Sequence, residues 1–197
     1  MPDSIDVQVY FNFRSPYCYI ASKRMFDMFD DYHANLVWKP LAGWTGRSSP
    51  DRAKVKIPLV RQDVRRITAR MGIPMNPPPI TTEPTPAGAA SLLAEEHGVL
   101  REYVVGMMAA EWADGQDIGE IDVICSVCEP LGLDADEVRA ATANKTYLDQ
   151  MAANWEEAQA IGLFGVPSFV IGEERFWGSD RIDYVEEYLH SLRLARA

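Results

Sequence analysis

Phe13-Arg14-Ser15-Pro16-Tyr17-Cys18-Tyr19 is the stretch that decides how this chain folds. It closes a run in which Ile5, Val7, Val9, Phe11 and Phe13 alternate with Asp6, Gln8, Tyr10 and Asn12. A period of two is the signature of a β-strand. Ser15-Pro16 then reads as a helix start, because a serine hydroxyl caps free N–H groups and proline at the first helical position gives up an N–H that would have no partner. Tyr17 to Phe29 is expected to be helical, with Ala21, Met25, Met28 and Phe29 on its apolar side. A second strand, Asn35 to Leu41, completes a βαβ unit.

Working outward, the middle of the chain changes character. Trp44 to Pro50 reads as a loop, and Ile57 to Met71 as a helix with Pro58 near its start and Gly72 as its stop. Pro74 to Pro86 holds six prolines and is expected to be stiff and extended. Helical patterns fill Ala87 to Glu96, Val99 to Ala113, Ile121 to Glu129 and Asp134 to Tyr147, the last opened by Asp134 and Glu137 at capping-box spacing. Leu148 to Ile161 is helical up to Gly162. Ser168 to Ile171 and Arg175 to Trp177 are short strands around a Gly172-Glu173-Glu174 turn, and Ser179 to Leu194 is the closing helix. The order is βαβ, helical insert, αββα. That is α/β, a thioredoxin-like domain of residues 1–41 and 148–197 with a helical insertion domain of residues 42–147.

Composition narrows the function. A chain of 197 residues with 47% hydrophobic content, five Trp and seven Phe has ample material for a core. A net charge of −10 repels nucleic-acid phosphates and anionic membrane surfaces alike, so neither is expected as a partner. No apolar run approaches the roughly 20 residues of a membrane helix. Met1-Pro2-Asp3-Ser4-Ile5-Asp6 does not resemble a signal peptide. Three cysteines do not make a secreted disulfide framework. The expected compartment is the cytoplasm, where low-molecular-weight thiols are abundant.

Thioredoxin-fold oxidoreductases carry Cys-x-x-Cys at this strand-to-helix junction, where the helix dipole and free N–H groups favour a thiolate. Here the four positions read Ser15-Pro16-Tyr17-Cys18. A hydroxyl cannot form a mixed disulfide, but it can hydrogen-bond a thiolate brought by a cofactor. Taken alone, Ser15 reads more readily as a plain helix cap, given how common such caps are. Gly165-Val166-Pro167-Ser168-Phe169 adds a second signal, since the fold sets a cis-proline just before this strand. The residue ahead of that proline offers its backbone to a cysteinyl backbone. Phe176-Trp177-Gly178-Ser179-Asp180-Arg181 is the third, because N–H groups and the Ser179 hydroxyl at a helix start suit a carboxylate such as the γ-glutamyl end of glutathione. Ser179 as a plain cap is the plainer account.

Other candidates carry less. Cys125-Ser126-Val127-Cys128 lies inside an amphipathic helix with no strand ahead of it and no further ligands for zinc, so it reads as packing. Cys18 holds a resolving position without an attacking cysteine and reads as structural. His33, His97 and His190 form no catalytic or metal pattern.

Phe13 to Ala21 and Gly165 to Arg181 resemble the 2-hydroxychromene-2-carboxylate isomerase family, relatives of kappa-class glutathione transferases and DsbA-type oxidoreductases. Glu111-Trp112-Ala113-Asp114-Gly115-Gln116-Asp117-Ile118, Leu131 to Asp134, and Lys54-Val55-Lys56 ahead of Asp63 and Arg66 carry the likeness through the insert. The resemblance implies a DsbA-like fold and a glutathione-dependent cis–trans isomerase of an aromatic catabolite, with glutathione or another low-molecular-weight thiol as cofactor. It implies that Ser15 works with the thiol, that Val166 and Pro167 hold the cofactor's main chain, and that Ser179, Asp180 and Arg181 hold its γ-glutamyl end. Lys39, Lys56 or Arg181 is the expected holder of a substrate carboxylate. A small aromatic molecule is the expected partner, with a homodimer as the oligomeric option. A kappa-type transferase, a thiol–disulfide oxidoreductase and a thiol-binding protein without turnover stay open. The sequence departs from the family at Leu59, at Arg47 to Arg52 and at Thr81 to Pro86, all on the substrate side.

Overall fold

A computed structural model gives the fold and describes residues 4–43 and 49–196. Strand β1 (Ile5–Phe11) leads through a short loop to helix α1 (Pro16–Ala21), then α2 (Asp27–Asp31) and strand β2 (Ala34–Pro40). The single helix expected over Tyr17 to Phe29 is therefore two. After Ala21 the Ser22 hydroxyl donates to the Tyr19 carbonyl and the Lys23 N–H reaches back to Ile20, a tight turn that ends the α-helical ladder.

Helix α3 (Pro50–Met71) starts earlier than the expected Ile57, with Pro50 in its first turn, and Gly72 (φ 68°) stops it. Pro58 thus lies inside the helix, not near its start. Of the expected loop from Trp44 to Pro50, residues 44–48 lie outside the described residues, as do Arg47 and Ser48 among the family departures. Helices α4 (Thr85–Glu96), α5 (Leu100–Trp112), α6 (Ile121–Cys128) and α7 (Ala135–Thr142) follow. Asp134 caps α7 by accepting the Asp136 and Glu137 N–H groups at 2.9 and 3.1 Å. The helix expected to run to Tyr147 stops at Thr142, because Asn144 accepts the Thr146 N–H at 2.9 Å and opens α8 (Lys145–Ala160). Strands β3 (Ser168–Ile171) and β4 (Glu174–Trp177) then lead through a 3₁₀ turn, Ser179–Arg181, to α9 (Ile182–Ser191). The closing helix is thus shorter than the sequence pattern indicates.

The four strands lie in the order β2-β1-β3-β4, with β1 parallel to β2 and antiparallel to β3. Alternation along β1 fills both faces. Val7, Val9 and Phe11 join Trp38, Phe169 and Ile171 in the larger core, while Tyr10 and Val170 pack with Leu41, Ala158 and Leu163 under α8. The larger core continues without a break into α4, α5, α6 and α7, so sheet and insert share one apolar interior. Each fully buried Val or Phe contributes about 1.5–3 kcal/mol, which makes this shared interior the main source of stability. No helix among the described residues is long and apolar enough to cross a membrane.

The β1–α1 junction is lashed to chain far away in sequence. Asn12 donates to the Gly43 carbonyl, the Trp112 indole to Phe13, Arg14 to Pro79, and the Tyr19 hydroxyl to Pro74. The Tyr17 hydroxyl donates to Asp63 of α3 at 2.8 Å. The proline-rich segment supplies two of these acceptors, which explains why it is extended: its carbonyls point at the junction instead of into a helix.

Candidate functional site

Ser15 occupies the cap of α1 with extended backbone (φ −93°, ψ 120°), and Pro16 follows at the first helical position. The Cys18 N–H approaches the Ser15 hydroxyl at 3.4 Å, and that hydroxyl reaches the Val166 carbonyl at 3.5 Å. Two segments that stand 151 residues apart thereby meet at one oxygen atom. The Val166–Pro167 bond is cis. The Gly178 N–H donates to the Pro167 carbonyl at 2.9 Å, fixing the end of β4 beside this loop. Gly178 has φ 122°, and a Cβ there would collide with the Asp180 carboxylate, so only glycine fits the turn.

Next to it, the Ser179–Arg181 turn packs against α1. Asp180 pairs with Arg181 at 3.0 Å, and both remain largely exposed. Burial, the Asp63 carboxylate and the charge of Asp180 all raise the Tyr17 hydroxyl above its usual range, so Tyr17 stays a neutral donor between α3 and the turn. The structure thus brings Ser15, Val166, Pro167, Ser179, Asp180 and Arg181 to one end of the sheet. It does not bring Lys39 or Lys56 into hydrogen-bond contact with them. Lys39 is held by Glu157 of α8 at 2.8 Å, and Lys56 is exposed on α3. Burial would raise the Glu157 carboxyl, but hydrogen bonds from Lys39 and Tyr10 hold it below its usual value.

The thiols contrast with Ser15. Cys18 is fully buried, and burial pushes its thiol up to about 12 despite hydrogen bonds at Asn12 and Ser15. Cys128 is likewise pushed up to about 12 by burial. Cys125 and Cys128 are both free, on a helix of the insert.

Sequence reading passed over two features. Tyr17 and Asp63 were visible only as members of longer motifs, because their bond joins elements 46 residues apart. Phe164 and Trp177 form an edge-to-face pair at 4.4 Å, and they are 65% and 51% exposed. Phe164 stands two residues before Val166, and Trp177 is paired with Ser168 across β3 and β4. The Trp177 indole lies over Gly165, where an added Cβ would come within 2.5 Å of its nitrogen. Two large rings thus stand in water beside the Val166 loop as an exposed apolar surface.

A four-stranded mixed sheet, a helix capped by Ser15 and a cis-proline facing it define a thioredoxin-fold protein whose redox position carries a hydroxyl. The chain belongs to the family of the DSBA-like thioredoxin domain, whose model matches residues 6–190. It is 25% identical over 191 residues to 2-hydroxychromene-2-carboxylate isomerase of Sphingobium xenophagum, covering 93% of this chain and 97% of that one. A solved 2-hydroxychromene-2-carboxylate isomerase superposes with a TM-score of 0.82 at 22% identity, over 95% of this chain and 96% of the other. The cytosolic disulfide reductase DsbM of Pseudomonas aeruginosa, solved with GSH, superposes with a TM-score of 0.74 at 17% identity, over 96% of this chain and all of the other. The two structural likenesses establish the fold.

Proposed function

We propose that this chain is a glutathione-dependent cis–trans isomerase of the 2-hydroxychromene-2-carboxylate isomerase type, acting on a small aromatic substrate in aromatic-compound catabolism. The observation that carries the reading is the Ser15 hydroxyl at the N-terminus of α1, set against the Val166 carbonyl in the place of a redox cysteine. The isomerase relative, matched over nearly its whole length, supports it.

The donor set suits glutathione. Val166 offers main-chain groups, Asp180 offers an anion for an ammonium, and Ser179 with Arg181 offers donors for a carboxylate, which together complement a γ-glutamyl zwitterion. Bound there, the cofactor would supply a thiolate, a nucleophile able to add reversibly to a conjugated double bond. Ser15 donates its hydroxyl hydrogen toward the sulfur position, and the dipole of α1 adds to that preference for negative charge. Phe164 and Trp177 offer a flat apolar wall for the substrate ring.

A dithiol oxidoreductase on the same fold needs two reactive sulfurs. Ser15 removes one, and the burial of Cys18 silences the other. The decisive experiment follows conversion of 2-hydroxychromene-2-carboxylate by ultraviolet absorbance, with and without glutathione. Turnover that needs the thiol is expected. Turnover without any thiol overturns the mechanism, and no turnover while glutathione still binds favours the transferase or binding-protein reading.

A further inference from the structure

Helix α3 is basic in an acidic chain, and its first half buries no side chain. It carries seven Lys and Arg against two acids, a charge of +5 in a chain whose total is −10. Val64 and Thr68 are buried in its second half, whereas every side chain from Asp51 to Leu59 keeps exposed surface. Val55 and Leu59, one turn apart on the same face, are 71% and 64% exposed, and Arg52 and Lys56 stand beside them at the same spacing. A helical stretch this short is marginal in water unless it packs a face, so the arm calls for a cover. The same chain holds a surface of the opposite kind. Phe26 and Phe29 at α2, Leu36 of β2 and Leu100 of α5 line an open groove of about 390 Å³. Its rim carries Asp30, Glu95 and Glu102. Arg101 stands there too, but it is tied to Asp27 at 2.9 Å and to Asp30 at 2.5 Å, so the rim keeps a negative balance. Partial burial, and then the charge of Glu96, raise the Glu95 carboxyl, which a cation brought to the rim would relieve.

We propose that the protein forms a two-fold dimer in which the basic α3 arm of each copy lies in the acidic-rimmed groove of the other. Val55 and Leu59 then cover the apolar floor, while Arg52 and Lys56 meet the carboxylates of the rim. Both halves of the contact are present on one chain, so a second copy supplies everything the arm and the groove lack. A two-fold axis makes the contact twice and closes the assembly. An anionic lipid surface would match the charge of the arm, but it is repelled by the rest of a chain of net charge −10 and leaves the groove uncovered. Asp63, on the same helix as the arm, accepts the Tyr17 hydroxyl, so the docked helix is continuous with the contact that holds α1.

Analytical ultracentrifugation of the full chain tests this, with a mass expected at twice 22.1 kDa. Leu59→Ser removes an apolar contact made twice, each copy worth about tenfold, so the dissociation constant should rise roughly a hundredfold. Arg52→Glu with Lys56→Glu should leave a monomer, and adding Glu95→Lys with Glu102→Lys to that variant should restore the dimer. All these side chains are exposed, so the variants keep the fold, which circular dichroism checks. The dimer should also loosen between about 0.1 M and about 1 M salt, as the screening length falls from about 10 to about 3 Å. A wild type that stays monomeric up to millimolar concentration overturns the proposal, whether or not it binds phosphatidylserine vesicles. A dimer left intact by both Leu59→Ser and the paired charge reversal overturns it equally. So does a charge exchange that fails to restore the association.

Discussion

The Ser15 hydroxyl oxygen stands 3.5 Å from the carbonyl oxygen of Val166, too far for a well-formed O–H···O bond, which closes at about 2.5–3.0 Å. The Cys18 N–H, at 3.4 Å, holds the same oxygen no more firmly. The hydroxyl is thus poised between two partners and committed to neither. A hydroxyl held this loosely can turn toward an incoming sulfur without first breaking a strong bond.

Ser15→Ala removes that donor and leaves the proposed Val166, Ser179 and Asp180 anchors in place. Glutathione affinity by calorimetry is expected to stay nearly constant, while turnover falls roughly ten- to a hundredfold, the cost of one charge-assisted hydrogen bond. Equal turnover would reduce Ser15 to a helix cap.

The wild type is expected to be almost inert in an insulin-reduction assay, since its one sulfur at the site, Cys18, is buried with its thiol raised to about 12. Appreciable reductase activity would assign chemistry to Cys18 or to the Cys125 and Cys128 pair.

Trp177→Ala and Phe164→Ala should separate substrate from cofactor. Removing one ring of the exposed pair is expected to raise KM for an aromatic substrate roughly three- to tenfold, the worth of one aromatic contact. The dissociation constant of glutathione should move little. A change in cofactor affinity with KM unaltered would place the rings on the thiol side.

Glu111→Gln should alter stability against pH, because Glu111 is buried on α5. The folded-state pKa of Glu111 is raised, so above the unfolded value of about 4.3 the unfolded chain gives up its proton first. The wild type therefore loses stability as pH rises from there toward the folded pKa, by at most about 1.4 kcal/mol per unit. Urea titrations across that window should show the slope in the wild type and a flatter one in the variant. Parallel slopes would mean that Glu111 ionises normally.

Most of the scaffold was legible because its signals are local. The alternation of Val7, Val9 and Phe11, the Ser15-Pro16 start and the strand from Ser168 to Ile171 each arise within a few residues. Breaks set by single side chains were less visible. Asn144 divides what periodicity joins, and Ser22 ends α1 by one hydroxyl bond. The site divided in the same way. Ser15 and Val166 could be named from their motifs, but the Phe164–Trp177 pair, the Tyr17–Asp63 bond and the Arg14–Glu111 pair join distant segments, and no spacing announces them.

The bonds that run from Asn12, Phe13, Arg14, Tyr17 and Tyr19 to Gly43, Trp112, Pro79, Asp63 and Pro74 have a mechanical consequence. The serine loop cannot easily swing out by itself, because five of the residues around it are moored to the helical segment. Amide protons of the loop can meet solvent only when α5 and the proline-rich strap let go together, so their hydrogen exchange should follow that larger opening and not the rapid fraying of an ordinary surface turn. Rigidity at the serine is thus borrowed from the part of the chain that carries none of the proposed cofactor anchors.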